Sequence, residues 1–81
     1  MTITVKLFAA MRDRAGSDTA DVDLPDGATV ADLRRELGKQ LPLAQSLLAR
    51  SAVSVNHDFA ENDRPLHAAD EVAVIPPVSG G

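Results

Sequence analysis

Thr29-Val30-Ala31-Asp32-Leu33-Arg34-Arg35-Glu36-Leu37-Gly38-Lys39-Gln40-Leu41-Pro42 is the stretch that decides the fold. It begins with a capping pattern, Thr29 followed by Asp32, just ahead of an apolar repeat. Val30, Leu33, Leu37 and Leu41 then recur at helical spacing, with Asp32, Arg34, Arg35, Glu36 and Lys39 on the wet side. Pro42 has no N–H to continue the ladder and ends the helix. A helix with one apolar stripe needs a second layer to cover it, and the flanking segments supply one.

Upstream, Ile3, Val5 and Leu7 alternate with Thr2, Thr4, Lys6 and Phe8, which predicts a strand over residues 2–8 with one buried face. Ala9 to Ala15 is helix-prone and is closed by Gly16. Ala20, Val22 and Leu24 alternate with Thr19, Asp21 and Asp23 in a second strand, and Pro25-Asp26-Gly27 makes the turn into the helix. Downstream, Leu43, Leu47 and Leu48 predict a further short helical turn. Ala52 to Val55 is a third strand, with Val53 and Val55 inward. Asn56-His57-Asp58 turns the chain and Phe59-Ala60 starts its return. Arg64-Pro65-Leu66 and Ala68-Ala69-Asp70 form a loop or a single helical turn. Glu71 to Ile75 is the last strand, with Val72 and Val74 on one face and Ala73 and Ile75 on the other.

The order is strand, strand, helix, strand, short strand, strand. It predicts an α+β fold of the β-grasp (ubiquitin-like) plan, a mixed sheet of four to five strands packed on one main helix. The crossing over the helix brings the first and last strands together as parallel neighbours. The domain is expected over residues 1–75, followed by an extended functional tail over 76–81.

The chain has 81 residues, room for one domain with a thin core. Its net charge of −4 argues against nucleic-acid binding, which needs clustered Lys and Arg, and favours protein partners with basic surfaces. No apolar run approaches the ~20 residues of a membrane span, and the first residues lack the form of a signal peptide, so a soluble cytoplasmic protein is expected. There is no cysteine, which excludes disulfides, thiolate metal sites and a persulfide.

The tail carries the chemistry. Pro76 and Pro77 cannot donate to a sheet, and Pro76 biases Ile75 to an extended backbone. Six extended residues at about 3.3 Å each reach ~20 Å, enough to enter a partner's active site. Gly80 and Gly81 have no Cβ and can pass a channel closed to other residues. The Gly81 carboxylate is then the functional group. Attack on the α-phosphate of ATP makes it an acyl-adenylate, and sulfide displaces AMP to leave a thiocarboxylate, with no cysteine required in the carrier.

The ending Asp70-Glu71-Val72-Ala73-Val74-Ile75-Pro76-Pro77-Val78-Ser79-Gly80-Gly81 resembles that of the small, sulfur-carrier subunit of molybdopterin synthase (the MoaD family, within the ubiquitin-like and ThiS-like superfamily). Val5-Lys6-Leu7-Phe8-Ala9-Ala10-Met11-Arg12 with Gly16, and Val53-Ser54-Val55-Asn56 with Pro65-Leu66, are similar to the same family. The sequence departs from it at Ile75, where the family often has Phe, and at Ala68-Ala69-Asp70, where it commonly has Gly-Asp.

The resemblance implies an E1-like adenylating enzyme that uses ATP and magnesium to activate Gly81, and a sulfur donor protein. It implies insertion of Pro76, Pro77, Val78, Ser79, Gly80 and Gly81 into the large subunit. There the sulfur passes to cyclic pyranopterin monophosphate and builds the molybdopterin dithiolene. The implied complex is a heterotetramer of two small and two large subunits. The chain would bind no cofactor or metal itself, and it is not expected to be catalytic alone. Sulfur carriers of thiamine or cysteine biosynthesis, a ubiquitin-like modifier and an inert interaction module are the competing readings.

Strand phasing adds a docking face. Phe8 and Ile75 are out of phase with the core residues of their strands and fall on the outer sheet face, and Phe59 follows a turn on the same sheet. An apolar cluster beside the tail root predicts a partner interface of Phe8, Phe59 and Ile75. His57 and His67 lie on separate loops with no further ligands, so they are expected as exposed loop residues. Asp18, Asp21, Asp23 and Asp26 are expected on a solvated face, and Arg12 and Arg14 as exposed cations. No serine lies in a Gly-x-Ser-x-Gly elbow.

Overall fold

The capping box closes as its residue types dictate. In a computed structural model that describes residues 1–78, the Asp32 N–H donates to Thr29 Oγ1 at 3.4 Å. The Thr29 N–H donates back to Asp32 Oδ2 at 2.9 Å. Helix α2 (Val30–Gln40) follows and buries Val30, Leu33 and Leu37, each worth about 1.5–3 kcal/mol on removal from water. Pro42 stops it and opens a 3₁₀ turn (Pro42–Ala44), which runs into α3 (Gln45–Arg50).

Five strands form the covering sheet: β1 (Thr2–Leu7), β2 (Thr19–Asp23), β3 (Ala52–Val55), β4 (Asp58–Phe59) and β5 (Val72–Ile75). A short helix, α1 (Ala9–Ala15), joins β1 to β2 and ends on Gly16, whose φ of 74° suits a residue without Cβ. The strand order is β2-β1-β5-β3-β4, with β1 and β5 parallel and every other pair antiparallel. Ile3, Val5, Leu7, Val22, Val53, Val55, Val72 and Val74 meet the helical layer in one core. This is the α+β, β-grasp architecture, a mixed sheet on one main helix.

The edge strand β2 has engaged backbone groups. The Leu7 N–H donates to Asp18 O and the Leu24 N–H to Met1 O, so even-numbered residues of β2 bond toward β1. The odd-numbered ones turn their groups to the free edge. There Ser17 Oγ accepts from the Thr19 N–H and donates to Thr19 O, while Gln40 Nε2 donates to Asp21 O at 3.0 Å. The acidic residues on this strand are also occupied: Thr2 and Thr4 donate their hydroxyls to Asp23 and Asp21.

Some details go beyond the expectations and some differ from them. Leu43 is 84% exposed, because the 3₁₀ turn points it away from the core while Ala44, Leu47 and Leu48 pack inward. Met11, unassigned by periodicity, is fully buried from the short α1. Of the two forms expected for residues 68–70, the loop is found, a turn closed by the Asp70 N–H on His67 O. Phe8 lies just beyond β1 but keeps an extended backbone. Pro76, expected as the first residue of the stalk, is buried, and the exposed part of the tail starts at Pro77. Ser79, Gly80 and Gly81 lie outside the described residues.

Asp32 is held below its ordinary value of 3.8, first by the Thr29 backbone N–H and then by the Arg35 side chain. Asp70 is lowered in the same way, first by the His67 backbone N–H and then by the Asn56 amide. A carboxylate whose folded value lies below its unfolded one stabilises the fold above the unfolded value and loses that contribution as pH falls through the folded one. Acid-side loss of the melting temperature should therefore set in below about pH 4. Asp32→Asn should make that loss shallower, and an identical acid slope for the variant in a calorimetric pH series would contradict the assignment.

Candidate functional site: an apolar sheet face at the root of the tail

Side-chain alternation divides β1 and β5 between two faces. Val72 and Val74 enter the core, so Ala73 and Ile75 face outward. Register then aligns a row across four strands: Lys6 opposite Ala73, Ala73 opposite Ser54, and Ser54 opposite Phe59. Residues directly opposite in a sheet share a face. Ile75 sits one step further along β5. Phe8 reaches the same level because it stays extended just beyond β1, before Ala9, with a left-handed φ of 49°, reverses the chain into α1. A left-handed alanine costs about 1–2 kcal/mol, and that bend keeps Phe8 on the outer face while Met11 goes inside.

The small side chains Ala73 and Ser54 form the floor of a depression of about 290 Å³, walled by Phe8, Phe59 and Ile75. Phe59 is 75% exposed, Phe8 46% and Ile75 37%, so the three expected interface residues lie together and open to solvent. A second depression, of about 530 Å³, shares Phe8 and Ile75 and is completed by Ala9, Ala10, Pro76, Pro77 and Val78. The tail therefore leaves the body along the border of the apolar face. Val78, the last described residue, is 92% exposed.

One end of the first depression is charged. Glu71 Oε2 lies 3.6 Å from Lys6 Nζ and 3.1 Å from His57 Nε2. His57, expected as an exposed loop residue, is exposed and also partners Glu71. The signal available was the phase of Lys6, which shares a face with Phe8; the partnership with His57 depends on a turn whose register the sequence did not announce. Among the described residues, no three His, Asp or Glu side chains gather to hold a metal. No helix among them is long and apolar enough to cross a membrane.

The family model described as "ThiS family" matches residues 5–81, which takes in both walls of the depression and the tail. The chain belongs to the ThiS family. Similar proteins include the molybdopterin synthase sulfur carrier subunit of Dictyostelium discoideum, 38% identical over 95% of this chain and 93% of that one. The subunit of the same name from Escherichia coli is 36% identical over 98% of this chain and 99% of that one. Among solved structures, SAMP1 from Haloferax volcanii superposes with a TM-score of 0.89 at 35% identity, covering 100% of both chains. This ThiS-family chain and these relatives align along almost their whole lengths.

Proposed function

We propose that this chain is the sulfur-carrier subunit of a molybdopterin synthase. The observation that carries the reading is the placement of the tail root: Pro77 and Val78 leave the body at the edge of an exposed Phe8–Phe59–Ile75 face. Docking through that face would point the last residues into the partner. The names of the relatives from Dictyostelium discoideum and Escherichia coli support the choice of pathway.

The chemistry follows from the Gly81 carboxylate. It attacks the α-phosphorus of ATP on an E1-like enzyme, with magnesium neutralising the phosphates, and pyrophosphate leaves. Sulfide from a donor protein then displaces AMP at the acyl carbon, giving the thiocarboxylate. In the large subunit that sulfur passes to cyclic pyranopterin monophosphate, and two such carriers complete one dithiolene. The tail from Pro76 to Gly81 positions the sulfur, and the assembly is a heterotetramer with two small and two large subunits. Reconstitution tests the reading: thiocarboxylated protein mixed with a molybdopterin synthase large subunit should convert cyclic pyranopterin monophosphate, and no conversion would refute it.

Phe8→Ala separates docking from folding. Truncating a central aromatic anchor costs about 1–3 kcal/mol of binding, or roughly 5- to 150-fold in affinity. Phe8 is about half exposed, so the melting temperature should change much less. Titration against the large subunit with unchanged affinity would remove Phe8 from the interface.

The likeness to SAMP1, the small archaeal modifier protein of Haloferax volcanii, favours a second reading. In that case Gly81 forms an isopeptide bond with a substrate lysine. Mass spectrometry of the protein from cells distinguishes the two: one oxygen replaced by sulfur at Gly81 marks the carrier, and protein-linked adducts mark the modifier.

A further inference from the structure

The β3–β4 turn places two residues in the left-handed region, Asn56 at φ 53° and His57 at φ 72°. Such a two-residue hairpin turn favours Asn at the first position and Gly at the second. Histidine stands at that second position, a conformation it enters more readily than most residues though less readily than glycine, and the turn sets where its side chain goes. Here it directs the imidazole to Glu71, with Nε2 3.1 Å from Oε2, on the rim of the apolar depression. Lys6 Nζ approaches the same oxygen from β1.

Covering the depression takes Glu71 out of water. A carboxylate withdrawn from water is tolerated when it is paired. Lys6 supplies one positive charge, and His57 supplies a second only when protonated. The other charged groups nearby are Asp58, which follows His57 in β4, and Asp70, which precedes Glu71. Asp70 is already held by the Asn56 amide and the His67 N–H, with Arg64 and His67 as its cationic neighbours. With both histidines neutral, this end of the face carries more negative than positive groups, and protonating His57 redresses that.

We propose that His57 is a specificity-determining residue of the docking face, which together with Lys6 neutralises Glu71 as a partner covers it. The identity of that partner rests on the sulfur-carrier reading. Docking takes up a proton at His57, so affinity rises as pH falls.

The test is calorimetric titration of the whole protein with a molybdopterin synthase large subunit between pH 6 and pH 8, in buffers of different ionisation enthalpy. Affinity should be about three- to tenfold higher at pH 6, with net proton uptake near pH 7. Asparagine adopts the left-handed region readily, so His57→Asn keeps the turn and removes the titrating group. In that variant the pH response and the proton uptake attributable to this chain should vanish, and Glu71→Gln should flatten the response as well. Tight binding with no pH response, affinity that rises with pH, or an unaltered pH response in His57→Asn each overturns the inference while leaving the sulfur-carrier reading intact. Absence of binding at every pH overturns the sulfur-carrier reading and this inference with it.

Discussion

Deleting Gly81 alone should reduce sulfur transfer at least about 100-fold and leave the melting temperature of the body unchanged. The shortened chain still ends in glycine and still carries a carboxylate. That carboxylate, however, stops one residue early, a shortfall of about 3.3–3.6 Å. Catalysis by positioning is far less forgiving than that, since a misplacement of about 1 Å can cost roughly 100-fold. The body should not respond, because β5 ends at Ile75 and, among the described residues, the last buried one is Pro76. Two measurements decide the matter: transfer to cyclic pyranopterin monophosphate in the reconstituted assay, and thermal unfolding of the same preparation. Retained transfer would refute the tail mechanism, and a lowered melting temperature would show that the tail helps hold the body together.

The second large effect lies in the core. Leu33 is fully buried on the face of α2 that meets the sheet. Leu33→Ala removes its transfer free energy and leaves a cavity, at a cost of about 2–5 kcal/mol. Against the 4–12 kcal/mol expected for a domain of this size, that is a large fraction of the total. The melting temperature should fall by roughly 8–40 °C, given about 4–8 °C per kcal/mol in small domains. Leu43→Ala serves as the internal control, because its side chain is already in water and the change should stay within about 0.5 kcal/mol. Comparable losses for the two variants would contradict the assigned packing.

Much of this was written in local pattern. The Thr29–Asp32 box, the Val30–Leu33–Leu37 stripe and the period-2 runs around Val5, Val22 and Val74 each fix an element without help from distant residues. Their order then restricts the topology. The outer face was legible for the same reason, since Phe8 and Ile75 break phase with their strands. What escaped was set by tertiary contact. Nothing in the sequence of α1 distinguishes Met11 from an exposed residue until the sheet is placed beneath it. Leu43, Leu47 and Leu48 predict a helical turn but not which of them is buried, and the 3₁₀ geometry after Pro42 turns Leu43 outward. Proline carries no burial signal, so Pro76 read as stalk although it packs against the body. The His57–Glu71 pair depends on a left-handed turn at His57, where the local pattern offers no glycine to mark it.

The engaged backbone of β2 bears on how this domain behaves in a crowded solution. An open sheet can grow by accepting a further strand at either edge, from a second copy or from any extended chain, and such growth is the beginning of fibre formation. At one end of this sheet the hydroxyl of Ser17 and the amide of Gln40 already occupy groups a newcomer would need. At the other end β4 offers only two residues to template against. Strand addition is hindered at both margins, and recognition by other proteins is left to the face, where side chains decide who binds.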